Sequence, residues 1–442
     1  MCVPPYRRTD FLVQLQPFNH ILPMQSNFEV VRDPLWNNIR VDSEALRVLD
    51  SEPLQRLRYI RQLGHAFLVY PGSTHTRFEH ALGTYHLTRR TLSLLRERGE
   101  LESIDAEEVL LVQLAALLHD VGHYPFSHAL EEAGLPSHED LAALHLSHAE
   151  LLATFDCTGI SDAKNRIRDI IRGKSESPLQ GLVSGSLDLD KIEYLTRDAR
   201  MCGVPYGTVD VDRLVHSLML VDVGGGVKKI GVHEKGVSAL ESLLFARYQM
   251  YRNVYWHHAV RSATAMFKRL VRQVLARGDL DAEWISTSTD DALMEALERL
   301  PDAPLAGRLK RRRLYKRSVD LPASDLPAGA GGWIADHPDI TELAEDWLAD
   351  QCGIGSGELL IDFPNKPALL AADLPVQRRG GNVVPISRDT GPWPLGIQEI
   401  GEQLHTNARH LRVFTAEPVQ VDMDLLLRMV EMSVEEVREA VN

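Results

Sequence analysis

The stretch Leu117-Leu118-His119-Asp120-Val121-Gly122-His123 places a histidine directly beside an aspartate at the end of an apolar segment. Leucines recur at helical spacing from Leu110 to Leu118, which predicts a helix whose buried face carries the His-Asp pair into the interior. Adjacent residues of a helix point about 100° apart, so both side chains can reach one ion only near a helix end. Gly122 gives the chain the freedom to turn there. Imidazole and carboxylate ligands suit a divalent transition metal, and the stretch therefore predicts a metal site.

Further histidines and carboxylates lie near this pair along the chain. Ten of the 18 histidines fall between His65 and His148, a clustering that scattered surface histidines would not show. An isolated His-Asp pair is most often only a helix-end hydrogen bond. Here the pair is joined by an earlier histidine and by a later segment with two aspartates and a lysine. Two histidines and two carboxylates would hold a metal ion and leave coordination positions open for water and a phosphate oxygen. The predicted ligands are His80, His119, Asp120 and Asp190.

The composition is that of an ordinary globular protein. The 442 residues are 44% hydrophobic and 25% charged, and no apolar run approaches the roughly 20 residues that span a bilayer. The first ten residues lack the apolar core of a secretory signal, so we expect a cytoplasmic protein with no membrane partner. The four cysteines are scattered, which predicts neither disulfides nor a thiolate zinc site. The net charge of -14 argues against non-specific nucleic-acid binding but permits a small anionic ligand.

Apolar periodicity predicts a mainly α fold. We expect single helices over residues 43–61, 80–97 and 187–202. Another helix is expected to start at Asp105, where Glu108 completes a capping box.

Less regular elements surround these helices. Residues 1–26 are expected to form an irregular arm, and one long helix is expected from Ser238 towards Gly278. Residues 219–222 and 228–233 flank three glycines, which predicts a β-hairpin.

The pattern changes after residue 330. Strand-like segments at 359–363 and 410–414 are separated by connections rich in proline and glycine. We therefore predict a boundary near residue 330 and an α+β region over residues 331–442, with a role in oligomerisation or regulation.

A series of motifs, in this order along the chain, resembles one known family. The superfamily is that of the HD metal-dependent phosphohydrolases, named for the His-Asp doublet, and the closer likeness is to its deoxynucleoside triphosphate triphosphohydrolases. The likeness covers residues 28–319 and implies an HD-domain helical core within residues 1–330. The motifs that carry it are Leu54 to Leu63, Tyr70-Pro71-Gly72, Arg77-Phe78-Glu79-His80, His119 to His128, Asp188 to Asp198 and Leu314-Tyr315-Lys316.

The resemblance implies a reaction and a set of site residues. Deoxynucleoside triphosphates (dNTPs) would be hydrolysed to deoxynucleoside and inorganic triphosphate, with the four ligands above holding a divalent Mn, Fe, Mg, Ni, Co or Zn ion. Tyr194 would stack near C2′ of the sugar and exclude a ribose hydroxyl. The residues implied to contact phosphates and sugar are Gln62, Leu63, Arg77, Lys191, Tyr194, Asp198, Arg247 and Tyr255.

The implied bond cleavage requires an acid. Attack at the α-phosphorus expels the 5′-oxygen of the nucleoside, a poor leaving group that needs a proton. We expect His128 to be this general acid, with His138 and Glu139 behind it as an orienting relay and His123 close to the phosphates.

A second anion site is implied by the resemblance, because the mammalian family member is activated by nucleotides bound between subunits. An activating nucleotide and a homo-oligomer, with a tetramer favoured, are therefore expected. A basic run over residues 308–317 in so acidic a chain also calls for a partner, although it could be a solvated loop or could face an acidic patch of another subunit. The matching residues are Asp50, Gln55, Arg58, Arg312 and Lys316.

Two other functions remain open on sequence alone. The chain could be an HD nucleotidase that acts on other nucleotides, such as monophosphates. It could also be a nucleotide-sensing regulatory protein with a degenerate metal site, although the complete ligand set and His128 speak against this.

Overall fold

The structure, a computed structural model, describes residues 28–364, 374–385 and 397–441. These residues form nineteen helices and nine strands, which confirms the expected mainly α fold with small sheets. The predicted arm over residues 1–26 lies outside the described residues. Among the helices described, none is both long and apolar enough to cross a membrane.

The N-terminal part is helical apart from one hairpin. Helix α3 packs against both α4 and α8 around a shared apolar core. The elements are β1 (Phe28–Asp33), β2 (Asn37–Asp42), α1 (Ser43–Leu49), α2 (Glu52–Arg56), α3 (Arg77–Glu97), α4 (Ala106–Leu118), α5 (His138–His145), α6 (Ala149–Thr158), α7 (Ala163–Ile171), α8 (Leu189–Cys202) and α9 (Val211–Ser217).

The rest of the chain adds helices and two small sheets. The elements are β3 (Leu218–Asp222), β4 (Lys228–His233), α10 (Val237–Met250), α11 (His258–Arg277), α12 (Ala282–Thr287), α13 (Asp290–Arg299), α14 (Pro304–Lys310), β5 (Lys316–Pro322), α15 (Gly332–Asp336), α16 (Pro338–Gln351), β6 (Leu359–Asp362), β7 (Pro375–Gln377), β8 (Val383–Pro385), α17 (Ile397–Ala408), β9 (His410–Thr415), α18 (Met423–Glu431) and α19 (Val434–Val441).

The strands form three sheets with the orders β1-β2, β3-β4-β7-β8 and β5-β9-β6. The predicted hairpin is present as antiparallel β3 and β4, with Leu220 opposite Ile230. Strand β9 is antiparallel to β5 on one side and to β6 on the other. Since β5 precedes residue 330 and β6 and β9 follow it, this sheet joins the two sides of the boundary, which itself stays a prediction.

The expectation of one helix over residues 43–61 is wrong. The helix stops at Leu49, and the chain resumes as α2 and a 3₁₀ turn over Leu57–Tyr59. Pro53 has no N–H, so it could not donate to the Leu49 carbonyl of a continuous helix. The Gln55 side-chain amide donates to that carbonyl instead, at 2.7 Å.

The expectation of one helix from Ser238 to Gly278 is also wrong. Helix α10 ends in a π-helical turn over Tyr251–Tyr255, and α11 starts only at His258. The Tyr70 hydroxyl donates to the carbonyl of Asn253, at 2.6 Å, within this turn. Such irregular turns re-aim side chains and are frequent at functional sites.

The capping box predicted at the start of α4 is not formed. No side chain caps α4 at Asp105. The Glu108 carboxylate instead accepts from Arg166 on α7, at 2.8 Å. The capping box is found at α3, where Glu79 accepts from the Thr76 N–H at 2.6 Å.

Candidate metal centre and active site

One cavity of about 440 Å³ collects residues from α3, the end of α4, α8, α10, the π-helical turn and α11. His80 lies buried beneath it. The predicted site residues that line the cavity are Gln62, Leu63, Arg77, His119, Asp120, His123, His128, His138, Glu139, Asp190, Lys191, Tyr194, Asp198, Arg247 and Tyr255.

The four predicted metal ligands converge. The Nε2 atoms of His80 and His119 are 3.1 Å apart, and Asp190 Oδ1 lies 3.0 Å from the first and 3.6 Å from the second. Asp120 Oδ1 lies 3.3 Å from His119 Nε2. His119 is the first residue past α4, so the helix end delivers the doublet as predicted.

The hydrogen bonds behind the histidines orient them towards a cation. His80 Nδ1 is 2.7 Å from Glu193 Oε2, and His119 Nδ1 is 2.9 Å from the Ala116 carbonyl oxygen. With Nδ1 donating to these acceptors, each neutral ring turns an Nε2 lone pair to the same point. Two lone pairs facing each other at 3.1 Å repel, and either a shared proton or a metal ion between them relieves that repulsion. The donor set therefore fits a divalent metal ion.

Asp120 joins this metal centre to the rest of the cavity. Its Oδ2 accepts from Arg77 Nη1 at 2.5 Å, and its Oδ1 lies 3.3 Å from His123 Nε2. Burial disfavours the carboxylate, but the charge of Arg77 and the hydrogen bond from His123 outweigh it and hold the pKa of Asp120 well below its usual range. Arg77 also donates to Ser127 Oγ at 3.2 Å, so its guanidinium braces the cavity wall.

A cluster of three histidines around one carboxylate lies on the far side of Asp120. We define it as His123, His128, Glu131 and His138 and call it, for the role we propose, the proton-relay cluster. Glu131 Oε1 lies 2.8 Å from His138 Nδ1, 3.3 Å from His128 Nδ1 and 4.0 Å from His123 Nδ1. Burial disfavours the Glu131 carboxylate, but His128 and His138 lower its pKa strongly. The His128 side chain is about half exposed and lines the cavity. Desolvation within the cavity lowers the pKa of His128, although the neighbouring Glu131 carboxylate acts to raise it.

The ring geometry of this cluster does not suit a shared metal ion. The His123 and His138 rings are stacked 3.8 Å apart with an interplanar angle of 15°. Because the lone pair of an imidazole lies in its ring plane, parallel rings cannot aim both nitrogens at one ion. Of the two groupings of potential metal ligands in the described residues, the one with His80, His119 and Asp190 is therefore the better metal site.

Glu131 was missed by the sequence reasoning, which selected Glu139 as the relay carboxylate. Glu139 lines the cavity as an exposed residue, and its role stays a prediction. A signal for Glu131 was available, because it follows His128 by three residues and side chains at that spacing share one side of a helical turn.

Gly122 has a different role from the one expected. A Cβ atom at Gly122 would collide with the His138 carbonyl oxygen and lie 2.6 Å from the Ala142 nitrogen. The absent side chain thus lets α5 approach the His-Asp turn and brings His138 into the cluster.

The opposite wall combines aromatic and charged groups. Asp198 Oδ2 accepts from the Tyr255 hydroxyl at 2.7 Å, and Asp198 Oδ1 lies 2.8 Å from Nε2 of His75, a buried residue that was not predicted. The Tyr194 and Tyr255 rings meet edge to face, 6.5 Å apart.

Two cations also line this wall. Lys191 Nζ is 2.5 Å from Asp188 Oδ2, and the Arg247 guanidinium lies 5.9 Å from the centre of the Tyr251 ring. The wall thus offers positive charge beside the metal centre.

The residues predicted to bind an activating nucleotide lie outside the cavity lining. Asp50 directly follows α1 and is exposed. Arg58 donates to Gln55 Oε1 at 2.8 Å, and its guanidinium stacks 3.5 Å from the centre of the Phe78 ring.

The other two members of that set come from the basic run. Arg312 has a left-handed backbone, with φ of 54°, and its Nε donates to the Leu68 carbonyl at 2.6 Å. Lys316 is exposed at the start of β5. Their binding role stays a prediction.

Two family models match the chain. Residues 77–197 match the model described as "HD domain", and residues 209–389 match the one described as "HD associated region". The fold, the His-Asp doublet at the end of α4 and its metal-ligand geometry agree with this match. The chain belongs to the HD superfamily of metal-dependent phosphohydrolases and resembles the dNTP triphosphohydrolases within it.

Two individual proteins show how similar the chain is to its relatives. An uncharacterised protein of Methanocaldococcus jannaschii is 39% identical over 298 residues, which are 67% of this chain and 61% of that protein. The deoxynucleoside triphosphate triphosphohydrolase SAMHD1 of Bos taurus is 28% identical over 324 residues, 63% of this chain and 54% of that enzyme. The chain thus spans little more than half the length of these relatives.

A solved structure supports the fold over nearly the whole chain. The crystal structure of a hypothetical protein from Aquifex aeolicus has a TM-score of 0.67 and 28% sequence identity, and the match covers 94% of this chain and 100% of that one.

Proposed function

We propose that this chain hydrolyses dNTPs to deoxynucleoside and inorganic triphosphate in a metal-dependent reaction. The observation that carries the proposal is the position of Asp120 between two chemical centres. One of its oxygens lies 3.3 Å from both His119 Nε2 of the metal centre and His123 Nε2 of the proton-relay cluster. A phosphorus atom held between these centres would have a nucleophile on one side and an acid on the other.

The metal centre would supply the nucleophile. His80, His119, Asp120 and Asp190 would hold a divalent ion, one of Mn, Fe, Mg, Ni, Co or Zn. A bound ion of this kind lowers the pKa of a coordinated water and polarises a phosphate oxygen.

The proton-relay cluster would protonate the leaving group. His128 reaches the cavity, and Glu131 at 3.3 Å from its Nδ1 holds the ring in place and partly offsets the burial that disfavours its protonated form. We assign His128 as the general acid for the 5′-oxygen, His138 and Glu131 as the groups that orient it, and His123 as a neutral contact for the phosphates.

The remaining cavity residues would select the substrate. Lys191 and Arg247 would bind the outer phosphates, which leaves the α-phosphorus towards the metal centre. Tyr194 would pack on the sugar near C2′ and exclude a ribose hydroxyl. Asp198, Tyr255 and the pair Gln62 and Leu63 would contact the rest of the deoxynucleoside.

We also propose that an activating nucleotide binds at Asp50, Gln55, Arg58, Arg312 and Lys316 in a homo-oligomer, with a tetramer favoured. The support is chemical. Arg312 carries a charge on a left-handed turn beside the cavity-forming segment at Leu68, in a chain with a net charge of -14.

A product assay tests the proposed function. The chain is incubated with each dNTP and Mn²⁺, alone and as a mixture, and the products are separated by anion exchange. Deoxynucleoside with intact triphosphate supports the proposal. Monophosphate with pyrophosphate, or diphosphate with phosphate, contradicts the assigned bond. Nucleotide binding without turnover by the metal-loaded protein would favour a sensing protein, and turnover of monophosphates alone would favour a nucleotidase.

A further inference from the structure

The segment that carries the proton-relay cluster is tied to α11. The Glu132 N–H donates to the His128 carbonyl oxygen at 3.0 Å, so Glu132 continues the turn that holds the acid. Arg261 Nη1 and Nη2 on α11 donate to the two Glu132 oxygens at 3.0 and 2.7 Å. About three turns further along α11, Arg272 Nη1 donates to the Ala133 carbonyl oxygen at 3.2 Å, which adds a second attachment.

The same two arginines also hold the C-terminal region. Arg261 Nε and Nη2 donate to the Asp362 carboxylate at 2.9 and 2.5 Å, at the end of β6. Arg272 Nε donates to Glu342 on α16 at 2.8 Å. A planar guanidinium with a carboxylate on each of two edges has no freedom to rotate. The position of Asp362 therefore fixes the orientation of Arg261, which in turn fixes Glu132.

The charges of the side chains in this bridge balance one another. Asp362 and Arg261 are buried, and Lys268 Nζ lies 3.3 Å from Glu132 and 4.0 Å from Asp362. Two acids and two bases thus form a compensated set. Removing one acid would leave a buried arginine with half of its partners, and a buried charge without its partner draws in water or moves.

We propose that the Asp362–Arg261–Glu132 bridge is a positioning device by which the C-terminal region sets the His128 proton donor. This inference rests on the proposed function for its catalytic consequence. Glu132 adjoins Glu131, whose carboxylate lies 3.3 Å from His128 Nδ1. A movement of Glu132 by about 1 Å would misalign that carboxylate, and displacements of this size cost about 10²-fold in rate.

The chain offers a matched control on the same helix. Arg269 of α11 also binds the C-terminal region, but it donates to Glu345, Asp346 and Ser356. Arg269 is as buried as Arg261, and its hydrogen bonds lead to α16 and Ser356, while its partner Asp346 is 33% exposed where Asp362 is fully buried. Asp346→Asn thus loosens the same interface and leaves the bridge in place.

The experiment compares Asp362→Asn with Asp346→Asn in the full, metal-loaded chain. For Asp362→Asn we expect a kcat about 10- to 100-fold lower, a KM within about twofold of wild type and a changed pH dependence of kcat. Hydrogen–deuterium exchange in peptides over residues 124–134 should become faster. Asp346→Asn should change none of these, whatever its effect on the melting temperature. Arg261→Lys, which keeps the charge but not the two-edged contact, replaces Asp362→Asn if that variant does not fold.

Two results would overturn the inference. One is a folded Asp362→Asn or Arg261→Lys protein with wild-type kcat, pH profile and exchange over residues 124–134. The other is an equal loss of kcat in Asp346→Asn. If the wild-type chain hydrolyses no dNTP, the proposed function fails, and the exchange measurement still decides whether Asp362 holds the His128 turn.

Discussion

Replacing His128 by asparagine tests the assigned leaving-group chemistry. Asparagine keeps a polar side chain in the cavity but has no titratable nitrogen to face Glu131 Oε1, which lies 3.3 Å from His128 Nδ1 in the wild-type structure. General acid catalysis typically contributes about 10²–10⁴-fold, which corresponds to roughly 3–5 kcal/mol of transition-state stabilisation. We expect a loss of dNTP turnover of that size, with metal content and KM close to wild type.

The sharpest assay varies the leaving group. In an aryl triphosphate such as p-nitrophenyl triphosphate, the phenolate departs without needing a proton. His128→Asn should therefore lose much less activity on this substrate than on a dNTP. Glu131→Gln, which keeps the acid but removes the charge that orients it, should lose less than His128→Asn on dNTPs and little on the aryl substrate.

The pH dependence gives a second measure of the same step. Enclosure lowers the pKa of His128, and a general acid acts only when protonated. The kcat of the wild-type protein should therefore fall as the pH rises through that pKa, and the variant should lack this limb. An equal loss on both substrates, or an unchanged limb in His128→Asn, would refute the assignment of His128 as the acid.

Three further perturbations probe the metal centre, the basic run and a buried acid. His119→Ala should abolish metal binding and leave the fold largely intact, and full metal occupancy by elemental analysis would remove His119 from the ligand set. Arg312→Glu or Lys316→Glu should weaken oligomer formation or stimulation by added nucleotide without changing metal content, because reversing a charge against phosphate costs far more than losing a screened surface pair. Wild-type responses of both variants to nucleotide mixtures would mean that the basic run is a solvated loop. Burial raises the pKa of Glu345 to about 7 from 4.5, so its contribution to stability is fully present below pH 4.5 and is lost as the pH rises through 7. This pKa shift corresponds to about 3 kcal/mol. Chemical denaturation of the wild type and of Glu345→Gln should therefore show that the stability advantage of the wild type falls by about 3 kcal/mol between pH 4.5 and pH 7. Parallel stability–pH curves of the two proteins would contradict this expectation.

Local patterns predicted much of the fold because they depend on neighbours along the chain. The leucine periodicity of α4 and the position of His119 at its end need only helical geometry, and both are present. The β3–β4 hairpin follows from its turn residues in the same way. Local patterns failed where a distant group intervened. The helix expected from Ser238 to Gly278 is interrupted next to Asn253, whose carbonyl accepts from Tyr70.

In the candidate site, too, some features follow from the local sequence and others depend on the tertiary structure. Ordered motifs in the sequence selected four residues that the structure brings together, and three of them, His80, His119 and Asp190, form a group that could hold a metal ion. Which carboxylate lies nearest the predicted acid depends on the shape of a turn, and the structure places Glu131 Oε1 3.3 Å from His128 Nδ1 and 2.8 Å from His138 Nδ1.

The sequence by itself thus determined a helical protein with a His-Asp doublet at a helix end, since residue type and short-range spacing suffice for both. Only the tertiary structure decided how far each side chain lies from partners distant in the sequence, as with Arg261 and Glu132, which are 129 positions apart, or Tyr255 and Asp198, which are 57 positions apart. The physical reason is that hydrogen bonds and ion pairs act over about 3 Å, while the packing that sets those distances is a property of the whole core.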